Sequence, residues 1–116
     1  MNCVYRIWYG DEIVYVGRTV QPLGDRIHDH VFSKHKRVPI NLQYVSRVDF
    51  HQFATEGDMY MYEIYLICKL RPRLNVDDKP KDGTCFVLPE LGWTAFPLIH
   101  KEKWLTQIAD RKRRFF

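Results

Sequence analysis

The sequence predicts a small mixed α/β domain of the α+β type, in which helices flank a three-stranded antiparallel sheet. Strand-forming side chains alternate in residues 3–18 and 42–53, whereas apolar residues recur at helical spacing in residues 23–35, 55–70 and 101–114. The 116 residues, 46% of them hydrophobic, suffice for one domain with a modest core. We expect residues 1–76 to form that core and 77–116 to form a C-terminal extension packed on it.

Residues 3–18 are predicted to form a β-hairpin. Valine, isoleucine and tyrosine flank a Tyr-Gly-Asp-Glu stretch whose glycine and aspartate favour a tight reversal. Because side chains alternate along a strand, Ile13, Tyr15 and Gly17 should share one face of the second strand. Tyr5 of the first strand can then point into the same site as Tyr15.

The pattern changes to a helix over residues 23–35, after a proline that a first helical turn tolerates. Arg26 and His30 are four positions apart and therefore project from one face. His28 and His30 diverge by about 200°, which argues against a zinc cluster. The basic residues 34–37 at the helix end are either a solvated terminus or a phosphate contact.

A third strand is predicted over residues 42–53, although alternation alone does not decide which of its faces is buried. Thr55 and Asp58 resemble a capping box at the start of a second helix, which should end near residue 70 because Pro72 follows. Glu63 lies inside this mostly apolar helix. A carboxylate there is costly unless a divalent cation or an arginine pairs with it. Glu56 competes as a metal ligand, but the helix dipole explains its position.

The C-terminal extension begins with a polar, turn-rich stretch at residues 77–83. Residues 84–88 and 92–98 are predicted to be short extended pieces, with prolines that confine them to sheet edges or ends. Residues 101–114 are predicted to form an amphipathic helix with Trp104 on its inward side and a basic end.

The net charge of +4 and a pI near 9.0 favour an anionic partner, although the excess indicates nucleic acid only together with motifs. Three cysteines without paired spacing indicate a reducing, intracellular setting. The N-terminal residues do not have the pattern of an export signal, and no apolar run is long enough to span a membrane. We therefore expect a cytoplasmic protein.

Several short motifs occur in an order that resembles the GIY-YIG nuclease family, over residues 3–75. Its two name-giving motifs match Cys3-Val4-Tyr5, where the family has a leading glycine, and Tyr15-Val16-Gly17. The family's helical arginine and histidine match Arg26 and His30. The segment YEIYLICKLRPRLN is similar to its acidic helix, and places Glu63 at the metal-binding position and Asn75 at a structural asparagine.

The resemblance implies a DNA endonuclease that uses one Mg²⁺ or Mn²⁺ ion, held by Glu63. It implies that Arg26 binds the scissile phosphate, that Tyr15 orients water or phosphate, and that Tyr5 or His30 is the general base. The implied catalytic set is Tyr5, Tyr15, Arg26, His30, Glu63 and Asn75. The DNA contacts predicted with it are Arg18, Lys34, Lys36, Arg37, Arg71 and Arg73.

The implied partner is double-stranded or branched DNA, and the extension could also mediate a homodimer able to cut both strands. Two alternatives stay open. The first is a nucleic-acid-binding or partner-blocking module that has the same fold but little or no activity. The second is a structural protein that uses its C-terminal aromatic residues, Trp93, Phe96, Trp104 and Phe116, as an interface.

Overall fold

The computed structural model describes residues 1–32 and 40–115, with side chains up to Arg113. In this part of the chain the elements are strands β1 (Asn2–Tyr9) and β2 (Glu12–Thr19), helix α1 (Leu23–Phe32), a 3-10 turn (Leu42–Tyr44), strand β3 (Val45–Phe53), helix α2 (Glu56–Leu70), strand β4 (Thr94–Phe96) and helix α3 (Lys101–Phe115). The sheet is antiparallel, with strand order β2-β1-β3-β4. The α+β class is confirmed.

The number of strands differs from the prediction, because β4 adds a fourth strand from the extension. Thr94–Phe96 pair with residues Val48 to Phe50 of β3. Residues 84–88 were also predicted to be extended, but they lie in no strand, and Phe86 and Val87 are 78% exposed. Their apolar side chains have β propensity but no strand partner, and pairing rather than propensity decides whether a strand forms.

A β-bulge in the first hairpin corrects the predicted faces of β2. Ile7 pairs with Tyr15, but the next residue of β1, Trp8, pairs with Ile13, so Val14 is an extra residue without a partner. The alternation is shifted at this point. Tyr15 stays on the face of Tyr5, whereas Ile13 packs on the opposite face with α2, so the prediction that Ile13 shares the face of Tyr15 was wrong.

The sheet separates two apolar clusters. One face packs against α1 and α3, with Tyr5, Ile7, Leu23, Ile27 and Val48 among its buried residues. The other packs against α2, with Val4, Val16, Met59, Leu66 and Ile67. The sequence did not decide how the two faces of β3 are oriented. In the structure Val48 and Phe50 lie on the face that packs against α1 and α3.

Asp49, on the opposite face of β3, is fully buried and needs a partner. Arg6 on β1 supplies it, donating from Nε and Nη2 to the two carboxylate oxygens at 2.7 Å each. Trp93 of the extension stacks on this guanidinium, with its ring centroid 3.9 Å from the Arg6 Cζ atom. Trp93 and Trp104 both pack on the protein's own core, which is evidence against their use as an exposed interface; Phe116 lies outside the described residues.

Helix α2 begins and ends as its sequence predicts. The side chain of Thr55 accepts a hydrogen bond from the Asp58 backbone N–H at 3.1 Å, as expected of a capping threonine. At the other end Arg71 adopts a left-handed conformation, with φ 49°, immediately before Pro72. The predicted extension of α1 to residue 35 lies outside the described residues. Within the described chain, no helix is both long and apolar enough to cross a membrane.

Gly24 gives a first testable prediction. It lies in α1 with no positive φ, and an added Cβ would meet Phe96 Cζ at 3.5 Å, an ordinary van der Waals contact. Because glycine loses more backbone freedom in a helix than alanine, Gly24→Ala should raise the free energy of unfolding by about 0.5–1 kcal/mol. Urea denaturation of the two proteins measures this difference. A variant less stable than wild type would contradict it.

Candidate active site

The two tyrosines predicted for the site lie side by side on the α1 and α3 face of the sheet. The ring centroids of Tyr5 and Tyr15 are 6.1 Å apart. Tyr5 is fully buried, and its cross-strand partner is Gly17. A Cβ at position 17 would lie 2.5 Å from the Tyr5 Cζ and Oη atoms and 2.9 Å from Tyr15 Cε1. Gly17 therefore leaves the space that both rings occupy.

Helix α1 brings an imidazole and a guanidinium to the same phenol. The Tyr5 hydroxyl and His30 Nε2 are hydrogen-bonded at 2.6 Å, and Arg26 Nε donates to the Tyr5 hydroxyl at 3.3 Å. The ring of Tyr15 meets His30 edge to face, with centroids 5.0 Å apart. The predicted common face of Arg26 and His30 is thus confirmed, and it faces the two tyrosines.

Glu63 reaches the cluster from α2, although α2 packs on the opposite face of the sheet. The glutamate side chain is 7% exposed, and its Oε1 accepts a hydrogen bond from Arg18 Nη1 at 2.5 Å. Burial is the main cause of the raised pKa of Tyr5 and of Tyr15, and the charge of Glu63 makes a minor contribution to both, so the carboxylate lies within electrostatic range of both phenols. The structure therefore brings Tyr5, Tyr15, Arg26 and His30 into contact, and Glu63 lies nearby, paired with Arg18.

Asn75 is bonded to the backbone of β2 rather than to the cluster itself. Its Oδ1 accepts from the Val16 N–H at 2.9 Å and its Nδ2 donates to the Val16 carbonyl at 2.8 Å. Val16 lies between Tyr15 and Gly17, so these two bonds fix the part of the strand that carries the site. Asn75 therefore bonds backbone, as a structural asparagine would, but the backbone belongs to β2, 59 residues away in the sequence.

Burial sets the protonation of the cluster. Burial, followed by the proximity of Tyr15, raises the pKa of the Tyr5 hydroxyl well above its ordinary range, and Arg26 offsets only part of this rise. Burial likewise raises the pKa of Tyr15. Both residues are therefore neutral phenols at neutral pH. Burial also raises the pKa of the Glu63 carboxyl, although Arg18 opposes the rise.

The chemistry of Glu63 is compatible with one hard cation that has few protein ligands. Within residues 1–32 and 40–115 no three His, Cys, Asp or Glu side chains group together as a metal cage. The environment of Glu63 still disfavours the carboxylate despite its arginine partner, so an additional positive charge would be favourable there. Mg²⁺ usually keeps several waters and needs only one or two carboxylates beside substrate phosphates. Glu63 alone matches that ligand set.

The predicted DNA-contacting arginines are already engaged with the protein. Arg18 pairs with Glu63 and stacks on Tyr60, with its Cζ 4.2 Å from the ring centroid. Arg73 Nε donates to Glu12 at 2.9 Å, and both side chains are more than half exposed. Arg71 caps α2 and donates to the Lys81 carbonyl. Lys34, Lys36 and Arg37 lie outside the described residues.

Two contributions to the site were missing from the sequence prediction. An arginine near Glu63 was expected in general, but Arg18 was not named as that partner, since the two are 45 residues apart. Tyr60, which stacks on Arg18, had no assigned role. It lies three residues before Glu63 in α2, and this spacing, which places two side chains on one helix face, could have indicated it.

The buried carboxyl leads to a second prediction, the pH dependence of stability. The pKa of Glu63 in the folded protein is above its ordinary value of 4.5. The free energy of unfolding therefore decreases as the pH rises from about 4.5 through the pKa of Glu63 in the folded protein. Glu63→Gln mimics the protonated form and retains an acceptor for Arg18. The variant should therefore be more stable than wild type at neutral pH, and the difference should shrink below about pH 4.5.

Thermal denaturation from about pH 4 to about pH 8 measures this difference. Glu90→Gln, at an exposed position, is the matched control and should show no such pH-dependent gain. A Glu63→Gln protein that is less stable than wild type at neutral pH would show that Arg18 outweighs burial.

The fold and the site together define a small α+β domain in which two phenols, a guanidinium and an imidazole are in contact and a buried carboxylate lies within electrostatic range of the phenols. The chain is similar to the UvrABC system protein C of Natronomonas pharaonis, with 28% identity over 113 residues. This alignment covers 97% of the chain but only 18% of that relative. No family model and no solved structure matches the chain.

Proposed function

We propose that this protein is a metal-dependent DNA endonuclease of the GIY-YIG type, which hydrolyses phosphodiester bonds with one divalent ion. The observation that carries the proposal is the hydrogen-bonded group of Tyr5, His30 and Arg26, on which the charge of Glu63 acts. The similarity to a UvrABC system protein C along nearly the whole chain supports it. Cytoplasmic location and a homodimer stay predictions from the sequence.

Arg26 binds and positions the scissile phosphate. A guanidinium has five N–H donors, so Arg26 can hold the Tyr5 hydroxyl and still bind two phosphate oxygens. Its charge also stabilises the negative charge that builds up on the phosphate oxygens in the transition state. A lysine ammonium cannot reproduce this planar, two-pronged contact.

Tyr5 and His30 act as one proton relay. Because burial raises the pKa of Tyr5, a resting phenolate at neutral pH is unfavourable. The Tyr5 hydroxyl instead accepts the proton of the attacking water while it passes its own proton to His30 Nε2, 2.6 Å away. In this scheme His30 is the final acceptor, Arg26 stabilises the tyrosine oxygen during transfer, and Tyr15 orients the water.

Glu63 would hold the Mg²⁺ or Mn²⁺ ion. When bound, the ion neutralises charge on the phosphate and on the departing oxygen. Arg18 keeps the carboxylate in position through its 2.5 Å contact. Asn75 keeps Tyr15 and Gly17 in register through its two bonds to Val16.

The test is cleavage of supercoiled plasmid and branched DNA with Mg²⁺ or Mn²⁺, by the wild-type protein and by Glu63→Gln. Cleavage by wild type alone, and only with a divalent ion, supports the proposal. Equal cleavage by both proteins would refute the role of Glu63. DNA binding without cleavage under either ion would favour the alternative of a non-cleaving nucleic-acid-binding module.

A further inference from the structure

A concave site lies on the far side of the helix that carries Arg26 and His30. It is a cavity of about 520 Å³ between α1, the end of β4 and the start of α3. This volume is within the range of sites that bind small organic groups, about 300–1,000 Å³. The side chains and the glycine that define its character are Gly24, His28, Phe96, His100, Lys103 and Trp104.

The walls of this cavity suit a flat aromatic ring. The indole of Trp104 is flanked by His28, with ring centroids 5.5 Å apart, and by His100, with centroids 5.7 Å apart. Phe96 supplies a further aromatic surface. Aromatic and imidazole rings stack on planar groups, and the imidazole nitrogens can form hydrogen bonds with ring nitrogens and carbonyls.

Two lysines, Lys101 and Lys103, and one carboxylate, Asp25, line the cavity, so its charged lining is positive by one. Lys101 has a structural task, because its ammonium donates to the Val45 carbonyl at 2.7 Å. Lys103 also lines the cavity and is exposed. A planar ring joined to an anionic backbone is the chemistry that an aromatic cavity with a cationic rim recognises.

The position of the cavity relates it to the proposed active site. His28 diverges by about 200° from Arg26 and His30, so the cavity and the catalytic cluster lie on opposite sides of α1. A helix with its side chains is about 10–12 Å across. A DNA strand that passes around half of the circumference of the helix covers about 16–19 Å, which is about five nucleotides at about 3.4 Å each. A strand with a phosphate at Arg26 can therefore place a nearby base in the cavity.

We propose that this cavity binds one unpaired nucleobase, about five nucleotides from the cleaved phosphate. This inference rests on the proposed nuclease function. The bases of an intact duplex are paired and stacked, so only an unpaired base can enter. The substrate class is therefore DNA with a single-stranded segment beside the scissile bond, such as a flap or another branched structure.

Filling the cavity tests the proposal. Gly24→Leu places a branched side chain in the cavity, whereas Gly24→Ala adds only a methyl group in ordinary contact with Phe96 and is the matched control. Binding is measured by fluorescence anisotropy without divalent ions, using a labelled single strand of about 15 nucleotides and the corresponding duplex. Gly24→Leu should weaken binding of the single strand at least about fivefold and leave duplex binding unchanged.

A second variant covers the case in which Gly24→Leu does not fold. His28→Ala removes one wall at an exposed position and should also weaken binding of the single strand alone. An abasic site moved along the oligonucleotide then locates the bound base. At one position of the oligonucleotide, the abasic site should lower the affinity of the wild-type protein to that of Gly24→Leu. The affinity of Gly24→Leu itself should not change when the abasic site is at that position.

The outcomes separate this inference from the nuclease proposal. The base site would be overturned if both cavity variants bound the single strand as tightly as the wild-type protein. It would also be overturned if an abasic site lowered the affinity at no position of the oligonucleotide. If cleavage nevertheless occurs and depends on Glu63, only the base site fails. If the cavity variants and the abasic scan behave as expected but no DNA is ever cleaved, the nuclease proposal fails and the base site is supported.

Discussion

Replacement of Arg26 by alanine is expected to lower the rate of DNA cleavage about 10³-fold. The guanidinium both holds the Tyr5 hydroxyl and, in the proposed mechanism, stabilises charge on the scissile phosphate. Arg26→Lys keeps the charge but loses the planar two-pronged contact, so its cleavage rate should lie between those of the wild-type protein and Arg26→Ala. Single-turnover cleavage with protein in excess measures the chemical step of each variant.

The matched control for this prediction is Arg47→Ala. Arg47 lies on β3 and is half exposed, and its partner Asp49 keeps both hydrogen bonds from Arg6. The variant should therefore be folded and should cleave DNA at close to the wild-type rate. A decrease of similar size in both variants would indicate a general electrostatic effect rather than a role at the scissile phosphate.

Gly17→Ala is expected to damage both the fold and the site. The new methyl group would lie 2.5 Å from two atoms of Tyr5, whose side chain is fully buried. Overpacking of this kind costs about 1–3 kcal/mol, and we expect a value near the upper end because Tyr15 is crowded as well. Tyr5 must also shift away from His30, so cleavage should be lost even in the folded fraction.

Gly92→Ala is the control for the glycine substitution. A Cβ at position 92 would meet nothing within 4 Å, so this variant should keep its stability and activity. Urea denaturation and cleavage assays on the folded proteins measure both effects. A Gly17→Ala protein with wild-type stability and activity would mean that the two phenols do not need their present positions.

The local part of the site could be predicted from sequence because short-range geometry determines it. Strand alternation indicated that Tyr5 and Tyr15 could share a site, and helical spacing placed Arg26 beside His30. The bulge at Val14 could not be predicted, since it depends on the pairing of β2 with β1. Without that bulge Ile13 would lie on the face of Tyr15, as its spacing predicts.

Contacts between distant parts of the chain could be predicted only from the cost of burying a charged side chain, and not from the spacing of residues in the sequence. The cost of burying Glu63 indicated that a cation or an arginine must lie nearby, but no pattern linked it to Arg18. The fourth strand was uncertain for a similar reason. Thr94–Phe96 is only three residues long and gains its strand conformation from pairing with β3. Its sequence alone carries a weak signal.

The position of Asn75 also affects how this sheet can grow. The side-chain amide of Asn75 is hydrogen-bonded to both the N–H and the carbonyl of Val16. An incoming strand would need these two backbone groups in order to pair with the outer side of β2. Leu74 takes the Val14 carbonyl on the same side. Association with another chain by strand addition is therefore blocked where the phenols lie, and is directed to the opposite margin of the sheet, where β4 offers only three residues.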